Sequence, residues 1–116
     1  MSEELKSMLR ELRQDGVKSS AVISRDGLVI EADLDGGAFV ETFAIMCATL
    51  MGAAVTANME LNRGTPEKVT VESQDGKMLI LNAGKKAVVV SVLEKSSDEK
   101  TVQKHMERIA SLLKQG

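Results

Sequence analysis

The stretch VISRDGLVI, Val22–Ile30, places an Asp-Gly pair between two short runs of aliphatic residues. An Asp-Gly pair in this setting is a strong signal for a β-hairpin, because glycine accepts the positive φ that a tight turn requires. The stretch VTVESQDGKMLIL, Val69–Leu81, repeats the pattern around a second Asp-Gly pair. The sequence therefore predicts two hairpins, and the strands Ala21–Ser24, Leu28–Ala32, Val69–Ser73 and Lys77–Leu81.

A fifth strand is predicted after the second hairpin. Ala87–Leu93 is almost continuously apolar, which is typical of a central strand that is covered on both faces. Val69–Ser73 alternates between apolar and polar residues instead, so we expect it at an edge of the sheet. The turn between these elements, Asn82–Lys86, superficially resembles a phosphate loop, but it lacks the spacing of that motif and a strand follows it. It is predicted to be a hairpin turn with two solvated lysines.

Three helices complete the predicted chain. Helical spacing of apolar residues marks the first and last helices, with stripes at Leu5, Met8, Leu9 and Leu12 and at Val102, Met106, Ile109 and Leu113. Ser96 and Glu99 resemble a capping box that opens the last helix. Asp35-Gly36-Gly37 is expected to open a long middle helix that runs to about Asn62.

The element order α-β-β-α-β-β-β-α predicts the fold class. We expect an α+β sandwich in which one five-stranded, mostly antiparallel sheet carries helices on both faces. The 116 residues are expected to form one domain, 1–116, because two separate cores would each be small and marginal.

Composition excludes several function classes. Only 2% of the residues are aromatic and the net charge is −2, so stacking platforms and a basic footprint for nucleic acid are absent from the sequence. The single cysteine, Cys47, rules out an internal disulfide and a multi-cysteine metal site, and its apolar neighbours favour a buried hydrophobe. No secretory signal is apparent and no membrane insertion is expected, because Glu41 and Glu60 bracket an apolar run that is marginal in length for a span. We expect a cytoplasmic protein.

The middle helix is apolar on almost every side. One row of residues is predicted to rest on the sheet: Phe39, Phe43, Met46, Leu50, Ala53, Ala57 and Leu61. A second row points away from it: Ala44, Ala48, Met51, Val55 and Met59. Leaving the second row in water would forgo several kcal/mol at ~25 cal/mol per Å² of apolar area. We therefore expect a partner for this row, most simply the same helix of a second copy, with small residues such as Gly52 allowing close approach. The alternative is that the terminal helices fold over the row.

The element order, the Val22–Val29 hairpin and the long Ala/Met-rich helix resemble the roadblock domain family. That family includes dynein light chains, bacterial polarity regulators and subunits of the Ragulator complex. The resemblance covers nearly the whole chain and is one of order and hydrophobicity rather than of a chemical motif. It implies a homodimer, or a heterodimer with another roadblock protein, whose sheets join edge to edge and whose long helices pair. Val69 and Val71, on the predicted edge strand, then belong to the dimer interface.

The resemblance also implies a platform for a small Ras-like GTPase. Candidate contacts carried over to this chain are Thr42, Ile45, Thr49 and Thr56, with a charged rim of Glu41, Glu60 and Arg63. A solvated strip of a dimer helix explains the threonines equally well. Arg25 and Arg63 lie at a turn and a helix end, where an arginine finger could be presented to a GTPase. Surface arginines are commonplace, and a regulator could equally act by reshaping the switch loops of its partner.

No residue constellation in the sequence supports an enzyme, a cofactor or a metal site. The only histidine, His105, flanks the apolar stripe of the last helix, where a structural role is expected. The first hypothesis is therefore a non-enzymatic dimeric adaptor that regulates a small GTPase, and the second is a scaffold subunit whose binding ignores the nucleotide. A small-molecule sensor is a third, disfavoured by the missing aromatics.

Overall fold

The computed structural model describes residues 2–36 and 39–115. Its helices and strands follow the predicted order, with bounds that differ from prediction by a few residues. They are α1 (Ser2–Leu12, continued by a 3₁₀ turn at Arg13–Asp15), β1 (Val17–Ser24), β2 (Val29–Asp33), α2 (Val40–Glu60), β3 (Lys68–Ser73), β4 (Gly76–Ala83), β5 (Ala87–Glu94) and α3 (Glu99–Gln115).

The five strands form one antiparallel sheet in the order β2-β1-β5-β4-β3. The two predicted hairpins are present, and both turn glycines have positive φ, +91° at Gly27 and +150° at Gly76. β5 lies at the centre and β3 at an edge, as the hydrophobic patterns predicted. β2 forms the other edge and carries a bulge, because Val22 pairs with Glu31 whereas Ile23 pairs with Val29.

Two hydrophobic cores lie on the two faces of the sheet. α1 and α3 cover one face, where the buried side chains of Leu9, Leu12, Met106 and Ile109 pack over Val22 and its neighbours. α2 covers the opposite face alone, so the terminal helices do not fold over it. The predicted stripes of the first and last helices are therefore confirmed, and so is the sandwich with helices on both faces.

The start of α3 differs from the predicted capping box. Asp98, not Ser96, precedes the helix, and its carboxylate accepts hydrogen bonds from the backbone N–H of Lys100 at 3.1 Å and from the Thr101 hydroxyl at 2.9 Å. A carboxylate in this position pairs an otherwise free amide of the first turn, which is the role that the prediction gave to a serine.

The middle helix is shorter than predicted at both ends. α2 begins at Val40 after an extended Phe39, and Gly37 of the predicted start lies outside the described residues. It ends at Glu60, and Asn62 takes a left-handed conformation with φ of +55°. By length and composition, α2 could cross a membrane. One face of it, however, packs against the sheet and forms a hydrophobic core with it. An apolar helix of this length is equally typical of a protein core.

Candidate partner-binding surface

The inner face of α2 is formed by residues that the sequence placed elsewhere. Ala44, Cys47, Ala48 and Met51 are buried, at 0–7% exposure, against the sheet residues of their own chain. The prediction that Ala44, Ala48 and Met51 face a second copy is therefore wrong. Helical periodicity failed here because both rows are apolar, so the pattern contains two equally good stripes and no signal for which one meets the sheet.

The outer face of α2 points away from the sheet and is largely apolar. We define it by its exposed residues: Thr42, Ile45, Met46, Thr49, Leu50, Ala53, Thr56, Ala57 and Glu60. Met46, Leu50, Ala53 and Ala57 had been predicted to rest on the sheet, and that assignment is wrong as well. Met46 is 52% exposed, Ile45 49% and Leu50 38%. Phe39 and Leu61, from the same predicted row, are also exposed, and only Phe43 packs partly against the core.

The polar members of the outer face contribute little charge to it. Thr49 donates its hydroxyl to the backbone oxygen of Ile45 at 2.7 Å, so its polar atom is turned back onto the helix. Backbone bonding of this kind leaves the methyl group of a threonine as the part presented to the outside. Charged groups are confined to the ends of the face, where Glu41, Glu60 and Arg63 are exposed.

The turn of the first hairpin extends the apolar surface beyond α2. Gly27 lies directly against Ile45: a Cβ added at Gly27 would be 3.2 Å from the Cα of Ile45. Leu28, next in the turn, is 69% exposed, and Ile30 on the edge strand β2 is also exposed. These residues were not predicted as contacts. The sequence assigned them only to a strand of the first hairpin, because a hydrophobic pattern does not show which apolar residues of a strand stay exposed.

One face of the edge strand β3 contributes to the core that lies beneath the inner face of α2. Val69 is half-buried and packs partly against the α2 core together with Val55, whereas Val71 is exposed. β3 pairs with β4 on one side, and its other side has no strand within the described residues 2–36 and 39–115. An unpaired edge of this kind offers free backbone donors and acceptors to another strand. Gly52, Val55, Met59, Val69 and Val71 remain predicted dimer contacts.

The predicted partner contacts Glu41, Thr42, Ile45, Thr49, Thr56, Glu60 and Arg63 are all exposed. The structure thus leaves each of them accessible. Their role in binding stays a prediction. Of the two arginines considered as fingers, Arg63 is exposed just beyond α2, whereas Arg25 is half-buried in the turn of the first hairpin.

Chemistry at the remaining candidate residues is structural. Burial in the α2 core raises the pKa of the Cys47 thiol to about 11, so the thiol is protonated at neutral pH. Nδ1 of His105 is hydrogen-bonded to the Asp15 carboxylate, which ties α3 to the turn before β1. Within the described part of the chain, no three His, Cys, Asp or Glu side chains are grouped as metal ligands require.

Comparison with known proteins agrees with this architecture. The Roadblock/LC7 domain family model matches residues 5–92. Two uncharacterized proteins of Methanocaldococcus jannaschii are each 37% identical over 78 residues, which is 67% of this chain and 68% of each relative.

Solved structures show the same fold at low identity. A structure described as MglB with tetrameric arrangement has a TM-score of 0.88 at 21% identity, covering 98% of this chain and 88% of that one. MglB of Myxococcus xanthus has a TM-score of 0.88 at 12% identity, covering 97% and 93%. Profilin II of Acanthamoeba castellanii is more distant, with a TM-score of 0.65 at 16% identity over 95% and 96% of the two chains.

The sheet has helices on both faces, and the outer face of α2 is apolar and has no partner among the described residues, which is typical of a protein-interaction fold. The chain belongs to the Roadblock/LC7 family, and its architecture is that of a roadblock-family adaptor.

Proposed function

We propose that the protein is a dimeric adaptor that binds and regulates a small Ras-like GTPase. The observation that carries the dimer is the apolar side of the outer face of α2, where Met46 is 52% and Leu50 38% exposed and Ala53 and Ala57 are also exposed. Isolated exposed apolar residues are ordinary, but a contiguous apolar helix face is typical of an interaction site. A second copy of the chain is the simplest occupant, because a two-fold axis requires only one self-complementary surface.

The edge strand supports the same arrangement. β3 borders the α2 core through Val69, and within the described part of the chain no strand pairs with its outer edge, so a β3 strand from a second copy can bond to it. The dimer proposed here therefore pairs α2 with α2 and β3 with β3. A heterodimer with another roadblock protein would use the same two surfaces.

Binding of a small GTPase is the step that rests on the family resemblance. The residues proposed to meet it are those at the margin of the outer face, which pairing of the helices leaves open: Glu41, Thr42, Ile45, Thr49, Thr56, Glu60 and Arg63. Thr42, Thr49 and Thr56 lie on one line of α2, and the charged residues lie at its two ends. We propose that the adaptor is non-enzymatic and cytoplasmic and that it acts on the switch loops of its partner.

Oligomeric mass is the first test. Light scattering of the eluting protein is expected to give twice the 12.5 kDa of one chain. Leu50→Glu is expected to reduce the mass to that of one chain, because it buries an unpaired charge in the helix pair. Ser7→Glu adds the same charge to an exposed position of α1 and is the matched control. A wild-type protein that remains a single chain at high concentration contradicts the dimer.

Affinity for GTPases tests the second step. Ras-like GTPases from the same genome, loaded with GDP or a GTP analogue, are expected to bind with an affinity that depends on the nucleotide. Thr49→Arg is expected to weaken binding while the mass stays unchanged. Equal affinity in both nucleotide states would favour the scaffold subunit. Failure to bind any such GTPase contradicts the regulator. If the protein accelerates GTP hydrolysis, Arg63→Ala distinguishes two mechanisms. Loss of the acceleration indicates an arginine finger, and unchanged acceleration indicates action on the switch loops of the partner.

A further inference from the structure

A cleft lies at the end of the sheet where three connections meet. The first-hairpin turn brings Arg25 beside the β4–β5 turn, and the backbone N–H of Arg25 donates to the Lys86 oxygen at 2.8 Å. The connection from α2 to β3 and the second half of α3 close the other sides. The cleft has a volume of about 920 Å³, within the range of small-molecule sites. We call it the end cleft.

Basic side chains outnumber acidic ones in the end cleft. Its lining includes Arg25, Lys68, Lys85 and Lys114, against the two carboxylates of Glu67 and Glu107. Lys68 is engaged with Glu99 and with Gln103, at 3.7 and 2.8 Å. Arg25, Lys85 and Lys114 have no ion pair within the described residues. Three unpaired cations in one concave site favour an anion.

Two residues of the lining each carry a buried polar atom that has no hydrogen-bond partner among residues 2–36 and 39–115. One is the donor Nε of Arg25 and the other is the acceptor Oδ1 of Asn82. The orientation of the Asn82 amide is set by its neighbour, because Nδ2 donates to the Pro66 oxygen at 2.8 Å and a carbonyl only accepts. A buried donor on a charged group that stays unpaired is costly, so such atoms in a native structure call for a missing partner.

Uncharged surface completes the lining. Val55, Pro66, Leu81 and Ala110 supply apolar contacts, and no aromatic side chain is among the lining residues. Bases and aromatic rings therefore have no stacking platform here. The cleft therefore combines positive charge that suits an oxyanion, one hydrogen-bond acceptor that suits a hydroxyl group, and aliphatic walls.

We propose that the end cleft binds a small hydroxylated oxyanion, a phosphate or carboxylate carried on a polyol. The oxyanion accepts from Arg25 Nε and lies among the charges of Lys85 and Lys114, and a ligand hydroxyl donates to Oδ1 of Asn82. The site goes beyond the adaptor function and does not depend on it, because none of these four residues lies on the outer face of α2.

The test is an amide chemical-shift titration of the full chain with four probes. Ribose 5-phosphate is expected to shift the signals of Arg25, Gly84 and Lys85 saturably below about 10 mM. Inorganic phosphate, which lacks the hydroxyls, is expected to bind more weakly. Ribose, which lacks the charge, is expected to leave these signals unchanged. Gluconate tests the carboxylate source, and saturation by either oxyanion supports the site.

Variants separate a built site from diffuse attraction. Arg25→Gln and Lys85→Gln are each expected to weaken ribose 5-phosphate binding by at least about tenfold. Arg10→Gln removes the same charge from an exposed position of α1 and is expected to change nothing. The proposal is overturned if neither oxyanion saturates these signals, if ribose alone shifts them, or if Arg10→Gln weakens binding as much as Arg25→Gln. Unchanged amide spectra without ligand show that each variant is folded.

Discussion

Leu50 and Met51 are neighbours in sequence with opposite surroundings, and truncating each to alanine tests the orientation of α2. Met51 is fully buried against the sheet, whereas Leu50 is 38% exposed on the outer face. Removing a buried methionine side chain costs about 3 kcal/mol, from lost burial and the cavity left behind. For a chain of this length that loss lowers the melting temperature by about 12 °C. Leu50→Ala in a single chain is expected to cost less than about 1 kcal/mol.

Protein concentration separates the two effects further. The loss from Met51→Ala is internal to one chain, so it is expected to be the same at every concentration. The loss of stability from Leu50→Ala is expected to grow with protein concentration. Dimer formation stabilises the folded chain more at higher concentration, and the variant loses that contribution. Urea unfolding at two widely separated protein concentrations measures both. If Met51→Ala left the stability of one chain unchanged and instead reduced the oligomeric mass in light scattering, Met51 would face the second copy and not the sheet. That result would refute the orientation of α2.

Four further outcomes are expected. Gly76→Ala lowers the free energy of unfolding by at least about 2 kcal/mol in urea, because φ is +150° and an added Cβ overlaps the Leu93 carbonyl oxygen; a loss no larger than that of Gly52→Ala, where a Cβ meets nothing, would contradict this. Ser91→Ala raises the free energy of unfolding by about 1 kcal/mol, since its buried hydroxyl has no hydrogen-bond partner among the described residues; a loss of stability would show that the hydroxyl does have a partner. Cys47 resists thiol reagents at pH 8 until urea unfolds the chain, because burial raises its pKa to about 11; rapid labelling of folded protein is the opposing result. The Thr101 hydroxyl and neighbouring N–H groups lower the pKa of Asp98 below its ordinary 3.8, so its contribution to stability is present above that value and lost as pH falls through the lowered pKa; Asp98→Asn flattens this part of the stability profile, and an unchanged profile would contradict the cap.

The end cleft illustrates what sequence reasoning missed. The Asn82–Lys86 turn was predicted to be a hairpin turn with solvated lysines, and the hairpin is confirmed. Nothing in the linear pattern places Arg25 beside that turn, because the two are brought together by pairing of β1 with β5 across the sheet. Charge clusters that depend on such long-range pairing have no local signal.

Local physics was sufficient for most of the fold. The Asp-Gly turns, the continuous apolar run of β5 and the alternation of β3 predicted the hairpins, the central strand and one edge, because each depends on side chains close in sequence. Which face of α2 meets the sheet could not be predicted from residues close in sequence. Two apolar stripes on one helix are equivalent until the sheet meets one of them, so only the tertiary structure decided that Met51 is core and that Leu50 faces outward.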